Sequence, residues 1–434
     1  MKRHSTCTTG FTIAMVGALA LTSCGGSADA ENEQIELSFA WWGGQTRHDD
    51  TETLIDMYEE MNPNVTINAE YSDFEGYWQR IPVTVAGGDA PDVMTFDESY
   101  LMEYAQRDAL LDMGELESLD LSEFPESSLR LGQLEDSLYG LPTGSTSMVV
   151  MANQELFDEA GVELPDDQSW TWEDYYELSA EIYENTDGEV LGSDYGHGNG
   201  VYLLTWLRSH GEDLFAGEGS SSFAFDEDIA EEFFSSYLRL RDEAGAPSSS
   251  EYFENQTAPF EEQVFLAGEG AMAFYYTTQL GQMRENAGDD VVLLQPPVEE
   301  GVDRESVPVP KATMYWSVSS QSDHPEAAGD FVDFLANSPE AAEVMETDRG
   351  VSLNESILNE TLPDALDETG QDIVEFTSDN LSDSVEVPLP SPPGASELDA
   401  LITELIGEVL GDRMSPRDAG EALLSEGQDL LGEE

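Results

Sequence analysis

The chain has 434 residues, 92 of them acidic against 15 basic, a formal net charge of −77, yet 40% of it is hydrophobic. That charge excludes a nucleic-acid partner, whose backbone needs clustered Lys and Arg, while the apolar share excludes a disordered acidic tail. With acids spread along the whole length, the surface suits high salt, where self-repulsion is screened over ~3 Å at 1 M against ~10 Å at 0.1 M.

In chain order, Met1-Lys2-Arg3-His4 is a short basic head, Phe11 to Leu21 an apolar stretch too short to span a bilayer, and Leu21-Thr22-Ser23-Cys24 follows. This layout predicts a secretory signal over residues 1–23 and a small polar tether over residues 24–34. The only other cysteine, Cys7, lies inside the signal, so disulfides are excluded as staples. No later segment has the ~20 apolar residues of a membrane span.

Ile35 to Trp42 predicts a buried strand, and Leu54, Ile55, Tyr58 and Met61 recur at helical spacing before Asn62-Pro63 stops the helix. Val65 to Tyr71 predicts a strand, Phe74 to Ala86 a helix ended by Gly87-Gly88, and Pro91 to Phe96 a third strand. This β-α-β-α-β order implies a parallel sheet with right-handed crossovers. Further strands are expected at Met148 to Met151, Gly270 to Tyr275, Val291 to Leu294 and Met314 to Ser319. Helices are expected at Gln154 to Ala160, Thr171 to Tyr183, Val201 to Ser209, Ile229 to Ala244, Thr278 to Asn286, Pro325 to Ala336, Leu401 to Leu410 and Pro416 to Leu431, and Pro247 to Ser250 reads as a surface loop. Ligands of open parallel sheets sit beyond the carboxyl ends of the strands. Trp41-Trp42-Gly43-Gly44-Gln45 and Asp97-Glu98-Ser99-Tyr100 stand at two such ends.

Several stretches together resemble the family 1 extracellular solute-binding proteins of ABC importers, the maltose-binding-like group. They are the Leu-Thr-Ser-Cys ending, similar to a lipobox; WWGGQTRHDDTETLIDMYEEMNPNVTINAEY; YWQRIPVTVAGGDAPDVMTFDESYLMEYAQRDALLDM; YGLPTGSTSMVVMANQELFDEAGV with TWEDY; FLAGEGAMAFYY; and HPEAAGDFVDFLANSPEAAEVM. The resemblance implies an α/β, two-lobed periplasmic-binding-protein fold of type II, hinged by crossing strands and closing over its ligand. It places one lobe at residues 35–139 plus 275–312 and the other at 140–274 plus 313–434, with crossings near Tyr139 to Thr143, Phe274 to Tyr275 and Ala312 to Met314. It also implies lipidation of Cys24, location on the extracellular face of the membrane, delivery of solute to ABC permease subunits, a monomeric state, no chemistry and no cofactor.

The opening WWGGQTRH and the AGGDAPDVM stretch most resemble the sugar-binding branch. Where uronate-binding relatives tend to place Asn and Trp after the third strand, this chain has Asp97, Glu98 and Tyr100, a departure that favours neutral saccharides. A sugar presents apolar C–H faces and a rim of hydroxyls, which call for flat aromatics with acceptors and donors. The expected ligand-binding residues are Trp42, Gly44, Gln45, Arg47, Asp97, Glu98, Tyr100, Ser145, Thr146, Trp206, Tyr275, Tyr276 and Trp316. Each has a plain alternative: core packing for Trp42 and Trp206, a surface salt bridge for Arg47, a helix cap for Asp97 and Glu98. A uronate oligomer or a polyamine stays open as ligand, the latter through cation-π contact. An exported glycoside hydrolase is disfavoured, since no GxSxG, HExxH or CxxC element appears and the five histidines lack metal-ligand spacing. Asp226 to Asp228 and Asp289-Asp290 lack a calcium-ligand spacing.

Overall fold

The computed structural model describes residues 34–195, 200–217, 220–259, 262–380 and 391–432. The expected signal segment and Cys24 lie outside them. The residues from Ile35 onward form one compact unit built on two sheets with separate cores.

β1 (Ile35–Trp42) is buried at Leu37 and from Phe39 to Trp42, as befits a central strand covered on both faces. Helix α1 (Gln45–Met61) turns Leu54, Ile55 and Tyr58 onto the sheet and ends at Asn62, before a proline that disfavours further helix. β2 (Val65–Ser72) pairs parallel with β1 along its full length. Asp73 caps α2 (Phe74–Gly87) by accepting from the Gly76 N–H, and Gly88 at φ +80° ends it. β3 (Val93–Phe96) flanks β1 on the other side, also parallel, and leads into α3 (Glu98–Gln106). The short helix α4 (Glu126–Leu129) and the hairpin β4 (Gln133–Leu134) with β5 (Ser137–Leu138) bring the chain to β6 (Leu141–Pro142).

β7 (Ser145–Asn153) is buried at every position and anchors the second sheet. Around it stand α5 (Gln154–Ala160), α6 (Trp172–Asn185), α7 (Gly200–Ser209), α8 (Glu227–Ala244) and α9 (Ser249–Thr257). β8 (Met272–Tyr276), β9 (Val291–Leu294) and β10 (Pro310–Ala312) all pair antiparallel with β7, with α10 (Leu280–Ala287) between the first two. The chain then returns: β11 (Tyr315–Val318) pairs antiparallel with β3 and with β6, completing the order β2-β1-β3-β11-β6. α11 (Pro325–Asn337) packs Phe331, Val332 and Leu335 into the first core, and α12 (Pro339–Met345) adds Ala341. α13 (Leu362–Ala365) and α14 (Glu368–Asn380) follow, and α15 (Ala395–Leu410) and α16 (Pro416–Leu431) close the second core.

The expected lobe limits need correction. Residues 275–312 belong with the second sheet, because β8, β9 and β10 register against β7, and β11 with α11 belongs to the first sheet. No crossing occurs at Phe274–Tyr275, where Phe274 sits opposite Val150 inside the second sheet. Instead three stretches run side by side between the sheets. The Thr143 N–H donates to the Met314 carbonyl at 2.9 Å and the Thr313 N–H to the Gly144 carbonyl at 2.9 Å, while Ser145 and Val351 exchange backbone bonds at 2.7 and 2.8 Å. They pack so closely that a β-carbon on Gly144 would lie 2.6 Å from Gly350, and one on Gly350, at φ +100°, 2.3 Å from Thr313 Oγ1. Only glycine suits either position. Pro247 to Ser250 also departs from expectation, because Ser248 and Glu251 form a capping box that starts α9.

Candidate functional site

A cleft of about 2120 Å³ lies between the sheets. From the first sheet it is lined by the carboxyl end of β1 with the start of α1 (Trp42, Thr46, Arg47, Asp50) and the turn after β3 (Asp97 to Tyr100). From the second it receives Thr146, Tyr276, Thr278 and Lys311, and the stretch from Ser391 to Asp399 closes one side.

The two adjacent tryptophans divide because strand side chains alternate. Trp41 is fully buried, donating from Nε1 to His48 Nδ1 at 3.1 Å and packing on Tyr71. Trp42 faces the cleft and is 8% exposed, with its ring 5.4 Å from Phe74 and 5.2 Å from Tyr77. Phe74 is 46% exposed on the same wall, and Tyr100 stacks on Trp78 at 3.7 Å. Phe74 went unnoticed in the sequence; its signal is an apolar residue at the first position of a helix that follows a strand end.

Between the two walls lies a charged group. Lys311, the only lysine among the described residues, is 8% exposed; its Nζ stands 3.2 Å from Glu98 Oε2 and 5.3 Å from the centre of the Tyr276 ring. Glu98 Oε1 also accepts from Ser391 Oγ at 3.2 Å. Burial works against the lysine's charge but is outweighed by Tyr276, Glu98 and Asp97, so its pKa stands well above the usual lysine range. Asp399 accepts from the Gly200 N–H at 2.7 Å; burial, reinforced by Asp97 and Glu98 and opposed by that hydrogen bond and Lys311, pushes its pKa up to about 7. Asp97 does both things expected of it, lining the cleft and capping α3 through the Ser99 N–H at 3.0 Å.

The remaining predicted residues split. Arg47 lines the cleft while paired with Asp348 at 2.8 Å, and Thr146 lines it while its hydroxyl meets Thr277 Oγ1 at 3.1 Å. Gly44 only N-caps α1, and Gln45 turns to solvent, bonding Asp49 at 2.7 Å. Ser145 is fully buried, its hydroxyl donating to the Lys311 carbonyl. Trp206 is core, stacked on His210 at 3.6 Å, whose pKa burial lowers to about 4. Tyr275 points away from the cleft because Tyr276 takes that face of β8; its hydroxyl donates to Gln263. Trp316 is buried in the first core under α11.

The cleft is also less acidic than the sequence suggests. Among the described residues five of the chain's 15 bases line it, against 11 of its 92 acids, so bases are concentrated there.

A fold of this kind is shared widely. A periplasmic solute binding protein from Pectobacterium atrosepticum superimposes with a TM-score of 0.80 at 24% identity, over 92% of this chain and 98% of that one. An oligogalacturonide binding protein from Yersinia enterocolitica, in complex with saturated digalacturonic acid, gives 0.78 at 22% over the same shares. An arabinooligosaccharide-binding protein from Halalkalibacterium halodurans is 26% identical over 273 residues, covering 60% of this chain and 58% of that protein. The chain thus matches between half and three-fifths of the length of such curated relatives. The model of the family described as bacterial extracellular solute-binding protein matches residues 46–342. The chain belongs to the bacterial extracellular solute-binding protein family.

Proposed function

We propose that the cleft captures a carbohydrate oligomer outside the cell and presents it to the membrane subunits of an ABC importer, without transforming it. The observation that carries this reading is one cleft that combines aromatic rings, Trp42, Phe74 and Tyr100 from the first sheet and Tyr276 from the second, with polar groups, Asp97 and Glu98 from the first and Thr146 and Lys311 from the second. Rings suit the C–H faces of sugars, and carboxylates and an ammonium suit their hydroxyls. At about 2120 Å³ the cleft exceeds the 300–1,000 Å³ typical of small-ligand sites, and the relative from Halalkalibacterium halodurans is itself named for an oligosaccharide. In this reading Cys24 carries the lipid that holds the protein at the membrane, the acidic surface serves life in salt, and the chain acts as a monomer.

A second reading is a uronate oligomer, since five bases line the cleft; eleven acids line it too and at least four of the five bases are paired with carboxylates, so the neutral saccharide stays the better fit. Calorimetry at molar salt with neutral arabino-oligosaccharides, galacturonate oligomers and spermidine separates the cases. Heat with a saccharide and none with spermidine is expected; binding of spermidine alone overturns the carbohydrate reading. Turnover of any oligosaccharide would overturn the absence of chemistry.

A further inference from the structure

At least four of the bases that line the cleft are paired with carboxylates, and the pairs differ in how far water reaches them. Asp348 against Arg47, Asp213 against Arg208 and Asp372 against Arg284 keep 38–49% of their side chains exposed. Such pairs are screened and weak, and another anion can take the acid's place. In the fourth, Glu98 with Lys311, the side chains are 13% and 11% exposed and the gap is 3.2 Å. Two charges so far from water attract strongly, and removing either leaves the other stranded.

This pair also joins the two walls. Glu98 is the first residue of α3, and Lys311 lies on β10 opposite Thr146. Ser391 Oγ donates to the second carboxylate oxygen of Glu98 at 3.2 Å, so both oxygens are engaged. Asp97 and Asp399 also interact with the amine, but Glu98 is its one ion-pair partner among the described residues. Tyr276 lines the cleft with the amine 5.3 Å from its ring centre. A sugar resting on that ring would turn its rim toward the amine, presenting a hydroxyl if neutral and a carboxylate if a uronate.

On the carbohydrate reading of the cleft, on which this rests, we propose that Glu98 is the residue that turns acidic sugars away. It holds the ammonium that a uronate carboxylate would need and sets a like charge in its path. Neutral sugars gain an acceptor for their hydroxyls from the same oxygens. Selectivity between ligands of nearly one shape calls for a repulsive element of this kind.

Glu98→Gln keeps the size of the side chain and removes its charge. Affinities for digalacturonate and for arabinotriose are measured by calorimetry at molar salt and neutral pH in the wild type, in Glu98→Gln and in Asp97→Asn, whose amide oxygen still caps α3. Digalacturonate should bind at least about tenfold more tightly to Glu98→Gln than to the wild type. It should bind less than about threefold more tightly to Asp97→Asn, which leaves the ion pair in place. Adding Lys311→Gln to Glu98→Gln should abolish the gain. No gain in Glu98→Gln, or an equal gain in Asp97→Asn, overturns the role of Glu98; so does a wild type that binds digalacturonate more tightly than arabinotriose, whatever the variants do. A wild type silent toward arabinotriose, with digalacturonate bound by Glu98→Gln alone, upholds that role and faults the neutral-sugar reading instead.

Discussion

The two walls of the cleft are built by different means. On the first, ligand-facing groups stand at the carboxyl ends of parallel strands and at the helix start that follows: Trp42 closes β1, and Asp97 to Tyr100 form the cap and first turn of α3 after β3. On the second they come from inside antiparallel strands, where Thr146, Tyr276 and Lys311 are selected by register and pleat. The first arrangement is local, so one substitution changes one contact. The second depends on pairings more than a hundred residues apart, and a one-residue slip would exchange Tyr276 for Tyr275.

Four substitutions break or sharpen this contrast. The largest effect should come where the walls join: Gly350→Ala forces a β-carbon to within 2.3 Å of Thr313 Oγ1 at φ +100°. A loss of about 4–5 kcal/mol in chemical denaturation, or failure to fold, is expected. Next is Asp399→Asn. With a folded pKa of about 7, above the unfolded carboxylate value, the folded state holds a proton the unfolded state has lost, so stability falls as pH rises from about 4 to about 7. The amide removes that decline while its oxygen keeps the Gly200 N–H. The variant should gain about 2–4 kcal/mol on the wild type at pH 8 and little at pH 4, measured by denaturant titration at both. Trp42→Ala should weaken saccharide binding about 30-fold in calorimetry, as a central aromatic anchor does. Trp206→Phe, which the sequence placed beside Trp42 as a candidate, should leave affinity unchanged and lower stability by about 1 kcal/mol.

The same contrast explains what could be read in advance. Local sequence alone locates β1 to its end residues, by a nearly continuous apolar run, and α1 to its last residue, by helical spacing stopped at Asn62-Pro63, because each buries a strip of its own residues. The site residues at the carboxyl ends of β1 and β3 are legible for that reason. Beside Gly44, Gln45 and Ser145, the failures are the aromatics Trp206, Tyr275 and Trp316. Each is a large aromatic near a cleft-lining segment, but which face of its element it occupies is decided by distant partners: Val149 across from Tyr275, Thr95 across from Trp316, Phe233 against Trp206. Lys311 escaped notice because nothing in Val-Pro-Lys-Ala-Thr reveals that its amine meets Glu98, over two hundred residues away. The misplaced crossing has a similar origin, since Arg349 to Val351 is a short irregular stretch whose role rests on one backbone pair with Ser145.

The solitary character of Lys311 gives the protein a built-in reporter. Its amine is the one ε-ammonium among the described residues, lines the cleft at 8% exposure and is held protonated by its neighbours, so an acylating dye should label it slowly. An occupant of the cleft that covers it should slow that labelling further.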